Sequence, residues 1–134
     1  MKLVWEKLHF KSLKTIYQLN NMQVKIVVFV PKTHTDIVRQ AMGDAGAGRI
    51  GNYSHCSYSV DGVGRYKPTD GAKPFIGEVG KFEEVVEERI ECICDKSIAK
   101  EVISAMRKVH PYEEVAFDIY PLISEEELWK YGKT

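Results

Sequence analysis

The sequence predicts an α+β fold in which two helices cover one face of a four-stranded antiparallel sheet, with elements in the order strand, helix, strand, strand, helix, strand. Three observations carry this. Residues 24–30 (VKIVVFV) form a nearly continuous β-branched and aromatic run, two later stretches space apolar residues as helices do, and strand-like segments precede and follow the second of them. This order is the split βαβ, or ferredoxin-like, sandwich.

The run at 24–30 is ended by Pro31 and suits a central strand covered on both faces. After it, Thr35 or Asp36 is expected to cap a helix whose Ile37, Val38, Ala41, Met42 and Ala45 share a face, and Gly46 and Gly48 stop it. Residues 57–60 and 64–66 read as one long, bent or interrupted strand, with Asp61-Gly62 as the turn or bulge signal inside it. Residues 68–74 are loop. Strand 85–94 follows, with Ile90, Cys92 and Cys94 on one face and Arg89, Glu91 and Ile93 on the other; the acidic run before it, 83–88, reads as an exposed helix turn or strand edge. Asp95 or Ser97 opens a second helix carrying Ile98, Val102, Ala105, Met106 and Val109, and Pro111 forces His110 out of helical geometry. The last strand, 115–120, alternates Val115, Phe117 and Ile119 with Ala116, Asp118 and Tyr120.

Residues 23–123 therefore form one domain, and 124–134 a tail with room for a short helix. Residues 1–22 differ in character: Lys2, Lys7, Lys11 and Lys14 face the single acid Glu6, and Trp5, Leu8, Ile16 and Leu19 recur loosely at helical spacing. They read either as a basic amphipathic helix or as an extension upstream of a start at Met22.

The 19 basic and 19 acidic side chains cancel, so no global field draws the protein to nucleic acid or an anionic membrane. The three cysteines, Cys56, Cys92 and Cys94, are too few and too oddly numbered for a secreted disulfide framework, which favours reduced thiols and a cytoplasmic protein. No apolar run is long enough to span a bilayer. Because Ile26, Val28 and Val30 point opposite to Val27 and Phe29, both faces of the first strand are apolar, and self-association is the economical way to bury the second.

Gly46-Ala47-Gly48-Arg49-Ile50-Gly51 has the formal G-x-G-x-x-G spacing, yet it follows a helix, whereas a dinucleotide site needs its glycines between a strand and a helix N-terminus. A helix stop and loop is the expectation, with a phosphate held by loop amides beside Arg49 as the smaller alternative. His110-Pro111-Tyr112-Glu113-Glu114 puts an imidazole and two carboxylates where a helix gives way to a strand. Together with His55 and Cys56, His110 and Glu113 form a candidate transition-metal set for copper or zinc. The competing reading has His110 closing the helix, Tyr112 packing at an interface and the glutamates in solvent. Neither a Ser/His/Asp order nor an H-E-x-x-H spacing is present.

Several separated stretches, in one order, resemble a known family: 46–57, 62–74, Ile76-Gly77, 88–91 and 110–122 (HPYEEVAFDIYPL). They are similar to the inserted domain of the YqfO proteins, dinuclear-metal proteins often labelled GTP cyclohydrolase type 2 homologues. That domain has a PII/CutA-like fold, and His110-Pro111-Tyr112-Glu113 is also similar to the His-Pro-Tyr-Glu signature of CutA, a protein linked to divalent-cation tolerance. The resemblance implies a homotrimer with a small molecule or metal at its subunit clefts. Gly48, Arg49, Gly51, Asn52, Tyr53 and Tyr112 are the expected ligand-binding residues. The family's two-metal centre lies in the surrounding domain, whose histidine-rich segments are not among these residues. The expectation is accordingly a ligand-binding or regulatory module without chemistry of its own. Its alternatives are a metal-binding protein, or one part of a hydrolase completed by a separate metal-domain chain.

Overall fold

A computed structural model describes residues 6–7 and 22–131. The elements are β1 (Gln23–Pro31), α1 (Thr35–Asp44), β2 (Tyr58–Tyr66), β3 (Glu83–Asp95), α2 (Ala99–Val109), β4 (Phe117–Pro121) and a short α3 (Glu125–Tyr131). The sheet runs β2-β3-β1-β4, every neighbouring pair antiparallel, which is the ferredoxin-like arrangement expected of the sequence. The expected extension 1–22 lies almost wholly outside the described residues. Among the described residues no helix is long and apolar enough to cross a membrane.

β1 is central because its β-branched residues serve two faces. Val24, Ile26, Val28 and Val30 enter the core under the helices, where they meet Ile90, Val38, Met42, Val102 and Met106. Val27 is buried and Phe29 half-buried on the opposite face. Cys92 and Cys94 belong to the core as small hydrophobes. Burial, followed by the neighbouring Cys94, pushes the Cys92 thiol up to about 12, so it is held protonated at neutral pH. Met106 has no exposed surface, and Met106→Ala is expected to cost about 2–5 kcal/mol in a denaturant titration, through lost burial and the cavity left behind.

Four local expectations are corrected. Neither Thr35 nor Asp36 caps α1, and neither Asp95 nor Ser97 caps α2; each helix is entered through a 3₁₀ turn, Lys32–His34 or Lys96–Ile98, without a side-chain cap bond. The tight turn takes over the work of the cap, and Thr35 instead lies buried with its hydroxyl donating to the Lys32 carbonyl at 3.4 Å. Ile37 is half exposed, since Thr35, Val38 and Met42 are the positions that face the sheet. Finally, Asp61-Gly62 forms neither turn nor bulge: the ladder is continuous through Asp61↔Glu88, Gly62↔Glu87 and Val63↔Val86. The acidic run 83–88 is thus the first half of β3, paired along its length with β2.

α1 ends as anticipated at Gly46, with Ala47 N–H reaching back to the Met42 carbonyl at 3.0 Å. Pro111 acts as anticipated as well, since His110 has the extended backbone φ −74°, ψ 133°.

Candidate functional site

The face of the sheet opposite α1 and α2 holds a pocket of about 720 Å³. Its floor is built by strand alternation. Val60, Gly62 and Gly64 of β2 lie on the same face as Glu87 and Arg89 of β3, because Val60 pairs with Arg89 and Gly62 with Glu87. Phe29 of β1 closes one end, and two loops, 67–82 and 110–116, form the walls.

Those loops are tied by polar contacts. Tyr66 donates its hydroxyl to the Ile76 carbonyl at 2.6 Å, Gly80 N–H reaches the Pro68 carbonyl at 2.8 Å, and Lys73 N–H donates to Glu113 Oε1 at 2.7 Å. Tyr112 is the aromatic hub, with ring centroids 4.9 Å from His110, 6.3 Å from Tyr66 and 6.3 Å from Phe75.

His110 sets the position of Tyr112. Its Nε2 donates to the Phe29 carbonyl at 2.8 Å and its Nδ1 accepts the Tyr112 N–H at 3.1 Å, an arrangement that requires the neutral imidazole protonated on Nε2. The ring is buried, and burial is the chief cause of a pKa lowered from the ordinary value. The Tyr112 phenol is pushed up, first by burial and then by Glu87. Its hydroxyl is fully buried and lies against the Glu87 carboxylate, yet makes no well-formed hydrogen bond among the described residues. Tyr66 is raised by burial and then by Glu83 and Glu87.

Glu87 occupies the niche that Gly64 leaves, for a Cβ on Gly64 would overlap its Oε1; a Cβ on Gly62 would meet nothing within 4 Å. Arg89 lies over the Phe29 ring, 5.9 Å from its centroid, and pairs with Glu91 at 3.3 Å.

Of the expected ligand-binding residues, Tyr112 lines this pocket, whereas Gly48, Arg49, Gly51, Asn52 and Tyr53 belong to the turn that follows α1. That turn is anchored far along the sheet: Gly48 N–H donates to the Ile93 carbonyl at 2.7 Å. Ile93 pairs with Lys25, four residues from Phe29 and so about 13 Å away along β1.

The candidate metal residues divide in the same way. His110 has both ring nitrogens on backbone partners and Glu113 holds the Lys73 amide, while His55 bonds Asp44 at 2.9 Å at the end of α1 with Cys56 next to it. Among the described residues, no three His, Cys, Asp or Glu side chains gather as a metal-holding group. Residues 62–77, expected from the sequence to take part in ligand binding along with 48–53 and 110–113, do supply much of the pocket lining, Gly64 included, whereas Glu87 and Arg89 are not among the expected ligand residues. The available signal was the pair of glycines, Gly62 and Gly64, inside a strand pattern, which marks close approach by another group.

No protein-family model matches the chain. It is 60% identical over 98 residues to the GTP cyclohydrolase 1 type 2 homolog of Bacillus subtilis, covering 73% of this chain and 26% of that protein. A solved structure, the Bacillus cereus protein related to NIF3, superposes with a TM-score of 0.69 at 51% identity, over 78% of this chain and 26% of that one. CutA from Synechococcus elongatus superposes with a TM-score of 0.59 at 12% identity, over 83% of this chain and 86% of that one, a likeness of fold alone. The chain thus spans about a quarter of the length of these longer relatives. In sequence and in fold it resembles the inserted PII/CutA-like domain of the GTP cyclohydrolase type 2 homologues, the YqfO/NIF3-like proteins.

Proposed function

We propose that this chain is a cytoplasmic small-ligand-binding, regulatory module that assembles as a homotrimer, with its pockets at the subunit clefts and no chemistry of its own. The observation that carries the reading is the 720 Å³ pocket, which joins aromatic walls to a few convergent polar groups on a rigid sheet, as ligand sites do. Its loops are pinned by hydrogen bonds at both ends, so little order remains to be imposed on binding. Assembly is supported by apolar side chains left at the surface on and around the sheet, including Tyr58, Val60, Phe82 and Val86. A copper or zinc centre has less support, because the His110 nitrogens are already engaged and His55 and Cys56 lie elsewhere in the chain.

The test pairs native mass spectrometry with an NMR fragment screen of the whole chain. The expected results are a trimer, and fragment-induced shifts at the amides of Gly62, Gly64 and Ala72. Gly62→Val should fill the pocket and weaken those fragments at least tenfold while leaving the unfolding midpoint nearly unchanged, since a side chain there points into open space. A monomer, or shifts confined to other surfaces, overturns the reading.

A further inference from the structure

The pocket has an interior charge that its rim does not share. Around the rim, Asp61 pairs with Lys32 at 2.5 Å, Arg65 with Glu84 at 3.1 Å and Arg89 with Glu91 at 3.3 Å, while Glu113 holds the Lys73 amide. Lys67 lies over the Phe82 ring, 4.9 Å from its centroid. Glu87 is different. It is 8% exposed and lines the pocket, and among the described residues it has no cationic partner.

A carboxylate taken out of water is costly unless it is paired or hydrogen-bonded. The obvious neighbour is the buried Tyr112 hydroxyl, which lies against Glu87 without a well-formed hydrogen bond among the described residues. The Tyr112 hydroxyl thus stands unsatisfied beside a carboxylate that has no cationic partner among the described residues, at the bottom of an aromatic-walled pocket. A donor placed between them would satisfy the carboxylate's lone pairs and the phenol oxygen together. If the donor carried positive charge, it would also gain a charge-assisted bond to Glu87 and attraction to the faces of Tyr66, Phe75 or Tyr112. An anion at the same place would meet an unneutralised carboxylate.

We propose that the pocket takes an organic cation, a protonated amine or amidinium carried on a flat apolar body, with its N–H donors seated against Glu87 and the Tyr112 hydroxyl. This rests on the reading of the chain as a small-ligand-binding module and adds the charge and shape of the ligand. The niche over Gly64 is what makes the seat: a side chain at that position would displace the carboxylate oxygen.

Three probes of one shape test it: benzamidine as the cation, benzamide as its neutral counterpart and benzoate as the anion. Each is titrated into the full-length chain while the amides of Gly62 and Gly64 are followed by NMR. Benzamidine is expected to bind at least tenfold tighter than benzoate. Glu87→Gln should weaken benzamidine by about tenfold to a hundredfold, the size of a charge-assisted bond, and leave benzamide within about twofold. Tyr112→Phe serves as a second variant that removes an unsatisfied buried hydroxyl. It should fold at least as stably as the wild type and still lose affinity for benzamidine.

Benzoate or benzamide binding as tightly as benzamidine, or Glu87→Gln leaving benzamidine unchanged, overturns the cation assignment while leaving the ligand pocket standing. If none of the probes moves those resonances, the cation assignment fails. If the fragment screen leaves them unmoved as well, the pocket reading falls with it.

Discussion

His110→Ala is expected to lower stability by about 3 kcal/mol and to disorder the pocket wall at Tyr112. The imidazole spans two backbone groups that would otherwise be buried without partners, the Phe29 carbonyl at 2.8 Å and the Tyr112 amide at 3.1 Å. Each orphaned group costs about 1–3 kcal/mol, and the lost ring packing adds to it. Urea titration measures the loss, and the Tyr112 and Phe75 ring resonances report the wall. A loss under about 1 kcal/mol would mean that water replaces the ring without penalty, and that His110 does not hold the turn.

The same residue sets a pH dependence whose direction follows from its burial. The imidazole pKa is lowered from 6.5 chiefly by burial, while the Phe29 carbonyl and Glu87 act in the opposite sense and His34 adds to the lowering. Protonating Nδ1 would also abolish the acceptor that receives the Tyr112 N–H. The unfolded chain therefore binds this proton more readily than the folded one. The stability that His110 contributes is complete above pH 6.5 and is lost as pH falls from there through the lower folded value. The unfolding midpoint should drop between pH 7.5 and 5, and His110→Gln should flatten that part of the profile, because an amide does not titrate there.

The elements legible in the sequence are those in which one strong local signal agrees with the tertiary demand. Residues 24–30 are β-branched on alternate positions facing both ways, and only a central strand satisfies that pattern; β1 is such a strand. Val102, Met106 and Val109 fix the buried stripe of α2, and Pro111 leaves His110 no helical option. The misreadings arise where a local signal has two structural meanings. Asp61-Gly62 is a turn dipeptide by composition, but in β2 the glycines leave room for Glu87 of the neighbouring strand, a contact across 23 residues or more that no local window contains. Thr35 and Asp95 are good caps in isolation, yet both helices are entered from a strand through a 3₁₀ turn that puts neither side chain over the free amides. The pocket was only half legible for the same reason. Its aromatic turn announces itself as a run of five residues, whereas its carboxylate is one of four glutamates in the six-residue acidic run 83–88, and only pairing in the sheet turns it inward.

The glycines that follow α1 separate the two meanings of a G-x-G-x-x-G spacing. Gly48→Ala is expected to cost about 3 kcal/mol and Gly51→Ala about 1 kcal/mol, although both have positive φ, +80° and +55°. The difference lies in what a Cβ would meet. At Gly51 it meets nothing within 4 Å, so only the left-handed conformation is penalised. At Gly48 it would run into the backbone oxygen and nitrogen of Cys56, in the segment leading into β2, and backbone cannot rotate aside as a side chain can. Gly48 is fixed there from two directions, by its N–H to the Ile93 carbonyl at 2.7 Å and by Cys56 N–H to its own carbonyl at 2.9 Å. Relieving the clash therefore breaks hydrogen bonds that dock the post-helix turn onto β3. Guanidinium titrations of the two variants, with hydrogen exchange at the Gly48 and Cys56 amides, measure both the cost and its location. Equal small losses would mean that the turn is loose, its glycines free to close around a bound anion. A large loss confined to Gly48 identifies the motif as a backbone crossing that docks the post-helix turn onto β3.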